Sequence, residues 1–209
     1  MEEPKQIRDV NRLNGVVREL LKLALVDMKK QGITPLVVET VRTQERQYWL
    51  YGQGRSALQL MKKKIPIKYA HKGAIVTQTV NSIHIQGCAV DVIPMRDNKA
   101  IWDSNDKDTK AIIQTMEKYG FEAGANWTSF KDSPHFQIKL PIPSYNSVSS
   151  QNTTTFLTRA IQRKLGFTGK DVDGIWGGKT DEAVKNFRAL YHLDNKAVLY
   201  ADNIRLLFS

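Results

Sequence analysis

Two short segments hold the residues best suited to chemistry. His84 and Asp91 lie in Asn81-Ser82-Ile83-His84-Ile85-Gln86-Gly87-Cys88-Ala89-Val90-Asp91-Val92-Ile93-Pro94, and Asp132 and His135 lie in Asp132-Ser133-Pro134-His135-Phe136-Gln137. A catalytic zinc ion takes three protein ligands from nitrogen and oxygen donors, keeps a fourth position for water and needs a base nearby. His84, Asp91 and His135 can fill the ligand places, with Asp132 as the base. One histidine on a half-buried strand is more often satisfied by a hydrogen bond than by a metal. Here, however, two of the chain's four histidines fall in these motifs, each with a carboxylate close by in sequence. That joint occurrence favours a metal site. His71 and His192 lie outside both motifs and are expected to be surface or locally bonded residues.

The elements around these residues must bring them together. An unbroken strand would send His84 and Asp91, seven positions apart, to opposite faces. Gly87 lies between them, and a turn or bulge there would reset the register. Beyond it, Cys88, Val90 and Val92 share one face of a strand, and Ala89, Asp91 and Ile93 share the other. His135 opens a second alternating run, with Phe136, Ile138 and Leu140 on an apolar face and His135, Gln137 and Lys139 on a polar face turned to an open cleft. Upstream, apolar residues at helical spacing over residues 8–31 predict a helix closed by Gly32, and Leu36 to Val41 predicts a strand. Thr43 is the expected N-cap of a helix over residues 44–60, which leaves Arg42 at a strand end. Residues 106–119 predict another helix, stopped by Gly120.

Ser82-x-His84-x-x-Gly87-x-Ala89-x-Asp91, followed by Asp132-x-Pro134-His135-Phe136, resembles the zinc peptidases that include D-alanyl-D-alanine carboxypeptidases and the L-alanyl-D-glutamate endopeptidases of bacteriophage endolysins. Val41-Arg42-Thr43-Gln44-Glu45-Arg46-Gln47, with Leu50-Tyr51-x-Gln53-Gly54-Arg55 after it, looks like that family's Arg-Thr-x-x-x-Gln stretch. With Trp127 and Phe130, the resemblance spans residues 10–140. It implies that Arg42 holds the scissile carbonyl oxygen as negative charge develops, and that Gln47 and Ser82 bind substrate or orient the ligands. The residue-level alternative for Arg42 is an ion pair with Glu39 or Glu45. Asp132, where the carboxypeptidase branch usually has Glu, points to the L-alanyl-D-glutamate branch.

The 209 residues, 41% hydrophobic, can form one large domain or two small ones. The single cysteine excludes an intramolecular disulfide. Cys88 is expected to be a buried thiol on the strand face opposite Asp91, although a nucleophilic cysteine beside two histidines is the chemical alternative. Met1-Glu2-Glu3-Pro4-Lys5 lacks the basic and apolar regions of a secretory signal, and no stretch approaches a membrane span. The expectation is synthesis in a host cytoplasm and action on the wall after release through a separate membrane lesion.

The run from Pro141 to Thr155 reads as a polar linker. The expected division is a catalytic domain over 1–142, a linker over 143–154 and a second domain over 155–209. In the last, Ala160 to Phe167, Asp171-Val172-Asp173-Gly174-Ile175-Trp176-Gly177-Gly178-Lys179-Thr180 and Ala183-Val184-x-x-Phe187 resemble the small three-helix peptidoglycan-binding domain attached to many wall hydrolases. Thr180 is its expected N-cap, and Ala183, Val184, Phe187 and Leu190 form an apolar stripe. Asp171-x-Asp173 is no calcium loop, since Gly174 comes too early and Ile175 offers no oxygen. The family's second turn motif is replaced by the divergent Asn195 to Asp202.

The net charge of +10 is spread along the chain, with nine Lys and Arg against six Asp and Glu in residues 151–209. Apart from Lys62-Lys63-Lys64 there is no nucleic-acid signature, so anionic wall polymers or membrane phospholipids are the better polyanion partners. The expected fold is an α+β zinc peptidase domain with a small antiparallel sheet and flanking helices, plus a small all-α domain. The expected function is a monomeric peptidoglycan hydrolase that uses Zn2+ to cleave the stem peptide between L-alanine and D-glutamate. A D,D-carboxypeptidase and a non-catalytic zinc-containing wall-binding protein are the alternatives. Three ligands with a base favour catalysis, because structural zinc sites usually close with a fourth protein ligand.

Overall fold

The computed structural model describes residues 2–140 and 146–208. Its first long helix, α1, runs over Gly15–Lys30. It is shorter than the predicted 8–31 because Asn14 accepts a hydrogen bond from the Val16 N–H as N-cap and separates α1 from a short turn at Val10–Arg12. Val16, Val17, Leu20, Leu21, Ala24 and Met28 give it one fully buried stripe. Gly32 then adopts a φ of +79°, which suits a residue without Cβ, and the chain turns into strand β1, Thr34–Glu39.

Strand β1 pairs antiparallel with β2, Ala89–Arg96. On its other side β2 pairs with β5, His135–Gln137, and β5 pairs with the short β4, Glu122–Ala123. Strand β3, Lys99–Ala100, folds back on the far end of β2. The result is one small antiparallel sheet in the order β1-β2-β5-β4. Cys88, Val90, Val92, Phe136 and Ile138 face α1 and helix α4, Lys107–Lys118. The opposite face of the sheet carries the polar residues of the first segment group. A register shift between Val37 and Glu39 sets Glu39 directly across from Asp91. Such a bulge re-aims the side chains that follow it.

Thr43 caps α2, Gln44–Gly52, through a hydrogen bond from the Arg46 N–H. The predicted single helix over 44–60 is two helices, because Gly54 takes a φ of +73° and Ser56 starts α3, Ala57–Lys62, with a capping box to Gln59. Buried Arg55 stacks on Tyr51 and donates to the carbonyls of Tyr51 and Thr77, which ties the loop over residues 70–82 to α2.

Of the expected linker, residues 143–145 lie outside the described residues. Residues 146–154 are structured: Ser147–Val148 forms β6 and pairs with β7, Leu199–Tyr200, while Val148 and Asn152 are buried. Helices α5 (Thr155–Lys164), α6 (Gly178–Leu190) and α7 (Ala201–Phe208) follow. The N-cap of α6 is Gly177 rather than Thr180, whose hydroxyl instead accepts from buried Gln162 inside the helix cluster. Leu190, expected on the apolar stripe, is exposed, whereas Val184 is fully buried. Arg188 is buried and ties the loop leading to α7 through Asp194 and Asn203. These helices do not stand apart from the sheet. Leu157, Ile161, Leu207 and Phe208 join the same hydrophobic core as α1. Arg205 pairs with buried Glu19 at 3.1 Å, and the Gly15 N–H donates to Asn146.

Candidate metal centre

His84 is held in a single helical turn, Ile83–Gln86, the first of the two alternatives that Gly87 left open. The Ser82 hydroxyl caps that turn by accepting from the His84 N–H at 3.3 Å, and Gly87 ends it with a φ of +69°. The turn, not a bulge, brings His84 round to the face of Asp91. His135 is the direct cross-strand partner of Asp91. The three side chains therefore converge from a turn and two neighbouring strands. His84 Nε2 lies 3.1 Å from Asp91 Oδ1 and 3.1 Å from His135 Nδ1, and His135 Nδ1 lies 3.3 Å from the same carboxylate oxygen. Among the described residues this is the one cluster of three or more such side chains able to hold a metal ion.

Hydrogen bonding fixes the tautomers. Thr40 offers only a carbonyl to His84 Nδ1, at 2.6 Å, so that nitrogen carries the proton and Nε2 presents a lone pair. Glu122 accepts hydrogen bonds from Trp127 Nε1 at 2.6 Å and from Gln137 Nε2 at 2.9 Å. That orients the Gln137 amide with its oxygen toward His135 Nε2, 3.2 Å away. His135 Nε2 is then the protonated nitrogen and Nδ1 the free one. Two imidazole lone pairs and a carboxylate oxygen thus face one another with no proton left to share between them. A cation is the group that fits. Donors at about 2.0–2.1 Å around a tetrahedral ion stand roughly 3.3–3.4 Å apart, close to the three separations seen here.

The electrostatics agree. Burial penalises charge on Asp91, yet His84 and His135 outweigh it and hold the carboxyl well below the usual range. Burial likewise opposes the charged form of His135, and Asp91 and Asp132 overcome it, raising its pKa. The pocket favours positive charge. Asp132 lies in the same cleft, and burial together with the charge of Asp91 pushes its pKa up against the pull of His135, His84 and Arg42. Its loop is pinned where its N–H donates to the Gly124 carbonyl at 3.1 Å. Gly124 leaves no room for more, because a Cβ there would stand 2.5 Å from the Asp132 carbonyl oxygen and 3.2 Å from the His135 Cβ.

Arg42 is both ion-paired and part of the cleft lining. Its guanidinium donates to Glu39 through Nε and a terminal nitrogen, so the ion pair with Glu39 is real. Its other terminal nitrogen donates to Gln47 at 2.9 Å. It also lines the cleft, with a terminal nitrogen 3.6 Å from Asp91 Oδ2. Glu39 in turn accepts from buried Arg46 at 2.6 Å, and Arg46 reaches the Pro4 carbonyl and Glu3. Two arginines thus offset the two carboxylates, Glu39 and Asp91, that the bulge sets side by side. Gln47 is fully buried, accepting from Arg42 and donating to the Thr79 carbonyl at 2.7 Å, so it orients Arg42 and does not face the cleft. Ser82 lines the cleft.

On the polar face of β5, His135 and Gln137 are largely buried but still line the cleft, as expected. His135 is 6% exposed, beneath the Trp127 ring at 5.2 Å between centroids. The cleft beside it has a volume of about 580 Å³, with Trp102 and Phe130 at its margin. Cys88 is buried on the opposite face and its thiol is pushed up to about 12, which rules out the nucleophilic alternative. His71 Nδ1 donates to the Tyr69 carbonyl at 2.8 Å and its ring stacks on Trp49, and His192 is exposed. Neither reaches the site.

Residues 76–138, which contain all three converging side chains, match the peptidase family described as D-alanyl-D-alanine carboxypeptidase. The chain is similar to this family over that stretch. It is 26% identical over 135 residues to the L-alanyl-D-glutamate peptidase of Listeria phage A118, covering 64% of this chain and 41% of that protein. It is 28% identical over 134 residues to the peptidoglycan L-alanyl-D-glutamate endopeptidase CwlK of Bacillus subtilis, covering 60% of this chain and 73% of that one. Among solved structures, the L-Ala D-Glu endopeptidase ChiX of Serratia marcescens overlaps 65% of this chain and 90% of its own at a TM-score of 0.42 and 23% identity. Among the described residues, no helix is long and apolar enough to cross a membrane.

Proposed function

We propose that the protein is a zinc-dependent peptidoglycan hydrolase that cuts the stem peptide between L-alanine and D-glutamate. The observation that carries this reading is the triangle of lone pairs from His84, Asp91 and His135, beside the half-buried carboxylate of Asp132 in a cleft large enough for a peptide. The match to a peptidase family and the activities for which the two relatives are named support the substrate class. Zinc, when bound by those three residues, supplies Lewis acidity and an acidified water.

The chain's own residues do the rest. Asp132, with proton affinity raised by burial, takes the proton of the attacking water and passes it to the nitrogen of the leaving D-glutamate. Arg42, clamped by Glu39 and Gln47, faces the scissile carbonyl and favours the state in which its oxygen bears negative charge. Because the clamp is already formed, little reorganisation accompanies the reaction. Ser82 holds the His84 turn in place and borders the substrate, while Gln47 acts through Arg42. Residues 155–208 serve as a wall-binding module, and the protein acts as a lysin on the wall after release from the cell that makes it.

The test is metal content measured together with lysis. The purified protein is expected to hold one zinc per chain and to clear purified peptidoglycan, and His84→Ala, Asp91→Ala and His135→Ala are each expected to lose both properties. Full zinc content in His135→Ala removes that residue from the ligand set and defeats the proposal.

A further inference from the structure

Residues 47–90 contain no Asp or Glu, yet they include Arg55, Lys62, Lys63, Lys64, Lys68 and Lys72. Buried Arg55 is used internally, whereas all five lysines are exposed. Lys62 ends α3, Lys63 and Lys64 follow it, Lys68 lies on the short turn Ile67–Tyr69 that packs against α3, and Lys72 comes just after that turn. Leu60 and Ile65 anchor this hairpin by burial against Tyr51 and Tyr69. With Leu60 facing inward, the neighbouring Leu58 and Met61 face out, 63% and 61% exposed, and Ile67 on the packed turn is 56% exposed. The short segment from Leu58 to Lys72 therefore exposes three large apolar side chains together with five lysines, and no acidic residue from the same segment tempers it.

From this juxtaposition we infer that the α3 segment is a docking surface for an anionic phospholipid bilayer. A wall polymer or nucleic acid would engage the lysines and leave Leu58, Met61 and Ile67 in water. A bilayer takes both sets: the apolar side chains enter the boundary between head groups and acyl chains, and the lysines reach the phosphates through their flexible stems. Each lysine close to an anionic surface strengthens partition roughly fivefold, equivalent to about 1 kcal/mol, and the effect is screened by salt. The surface uses none of the residues placed in the metal centre, so it is independent of the proposed hydrolysis.

The experiment is co-sedimentation of the full chain with phosphatidylcholine vesicles, prepared with and without phosphatidylglycerol, at low and near-physiological salt. The protein should bind only the vesicles that contain phosphatidylglycerol. Lys62→Glu/Lys63→Glu should weaken binding by more than about tenfold, and Leu58→Ser/Met61→Ser by at least about tenfold with every lysine in place. These positions are exposed, so thermal melting of both variants should match the parent. Failure to bind anionic vesicles overturns the inference. So does binding that Leu58→Ser/Met61→Ser leaves unchanged, and equal binding to duplex DNA in that case would reassign the surface to polyanions in general.

Discussion

Replacing Gln137 with Leu tests how the metal centre is held without touching any ligand. Leu is close to Gln in volume, so packing beneath Trp127 is nearly preserved while both polar contacts vanish. His135 Nε2–H loses its acceptor at 3.2 Å, and Glu122 keeps Trp127 but loses its second donor at 2.9 Å. A buried donor left without a partner costs about 1–3 kcal/mol. His135 can escape that cost by moving its proton to Nδ1, which is the nitrogen the metal needs. Either outcome weakens binding, and the expected loss is about 10–100-fold in zinc affinity, the range typical of groups that orient a ligand. Competition against a chromophoric chelator measures it, and Glu122→Gln combined with Gln137→Leu should cost less than the sum of the two because both act on one chain of contacts. Zinc affinity within about threefold of the parent would refute the idea that the Glu122–Gln137 relay sets the His135 tautomer.

Asp132→Asn should keep zinc and fold but lose about 100-fold or more in turnover on stem peptides, as expected for a general base, and near-parental turnover with zinc bound would exclude that role. Gly124→Ala should lower melting stability by about 1–3 kcal/mol and reduce turnover with it, because the added Cβ would meet the Asp132 carbonyl at 2.5 Å. Burial opposes ionisation of Glu19, but its bonds to Arg18 and Arg205 and the charge of Lys22 bring its pKa below the usual value. A carboxyl depressed in the folded state stabilises fully above the unfolded pKa and loses that contribution as pH falls through the folded one. The melting difference between the parent and Glu19→Gln should therefore be largest near neutral pH and shrink below about pH 4.

The convergence of His84, Asp91 and His135 was legible because type and spacing constrain them twice, by residue chemistry and by strand alternation. Alternation placed Asp91 on the face opposite Cys88, Val90 and Val92, as found, and put His135 and Gln137 on one side of β5. It could not show that Glu122 and Trp127, from a different strand and loop, would close over that side and bury it. Nor could a local pattern show that His84 sits in a turn, since both a bulge and a turn use Gly87. The helix over 44–60 was overextended because Gly54 turns with positive φ and Ser56 opens α3 with a capping box, a division that the helical reading did not include. Glu39 was visible only as one of two partners for Arg42. Its bridge to Arg46 depends on the register shift after Val37, which local sequence does not specify. The polar run at 146–154 read as linker because its anchors, Leu199 and Tyr200, lie some fifty residues away.

Mass spectrometry of the fragments released from purified peptidoglycan tests the central claim most directly. The account predicts new amino termini on D-glutamate and new carboxyl termini on L-alanine, produced by the zinc-loaded protein and absent with Asp132→Asn. Release of free D-alanine with the L-alanyl-D-glutamate bond intact would contradict it and assign the same centre to carboxypeptidase chemistry.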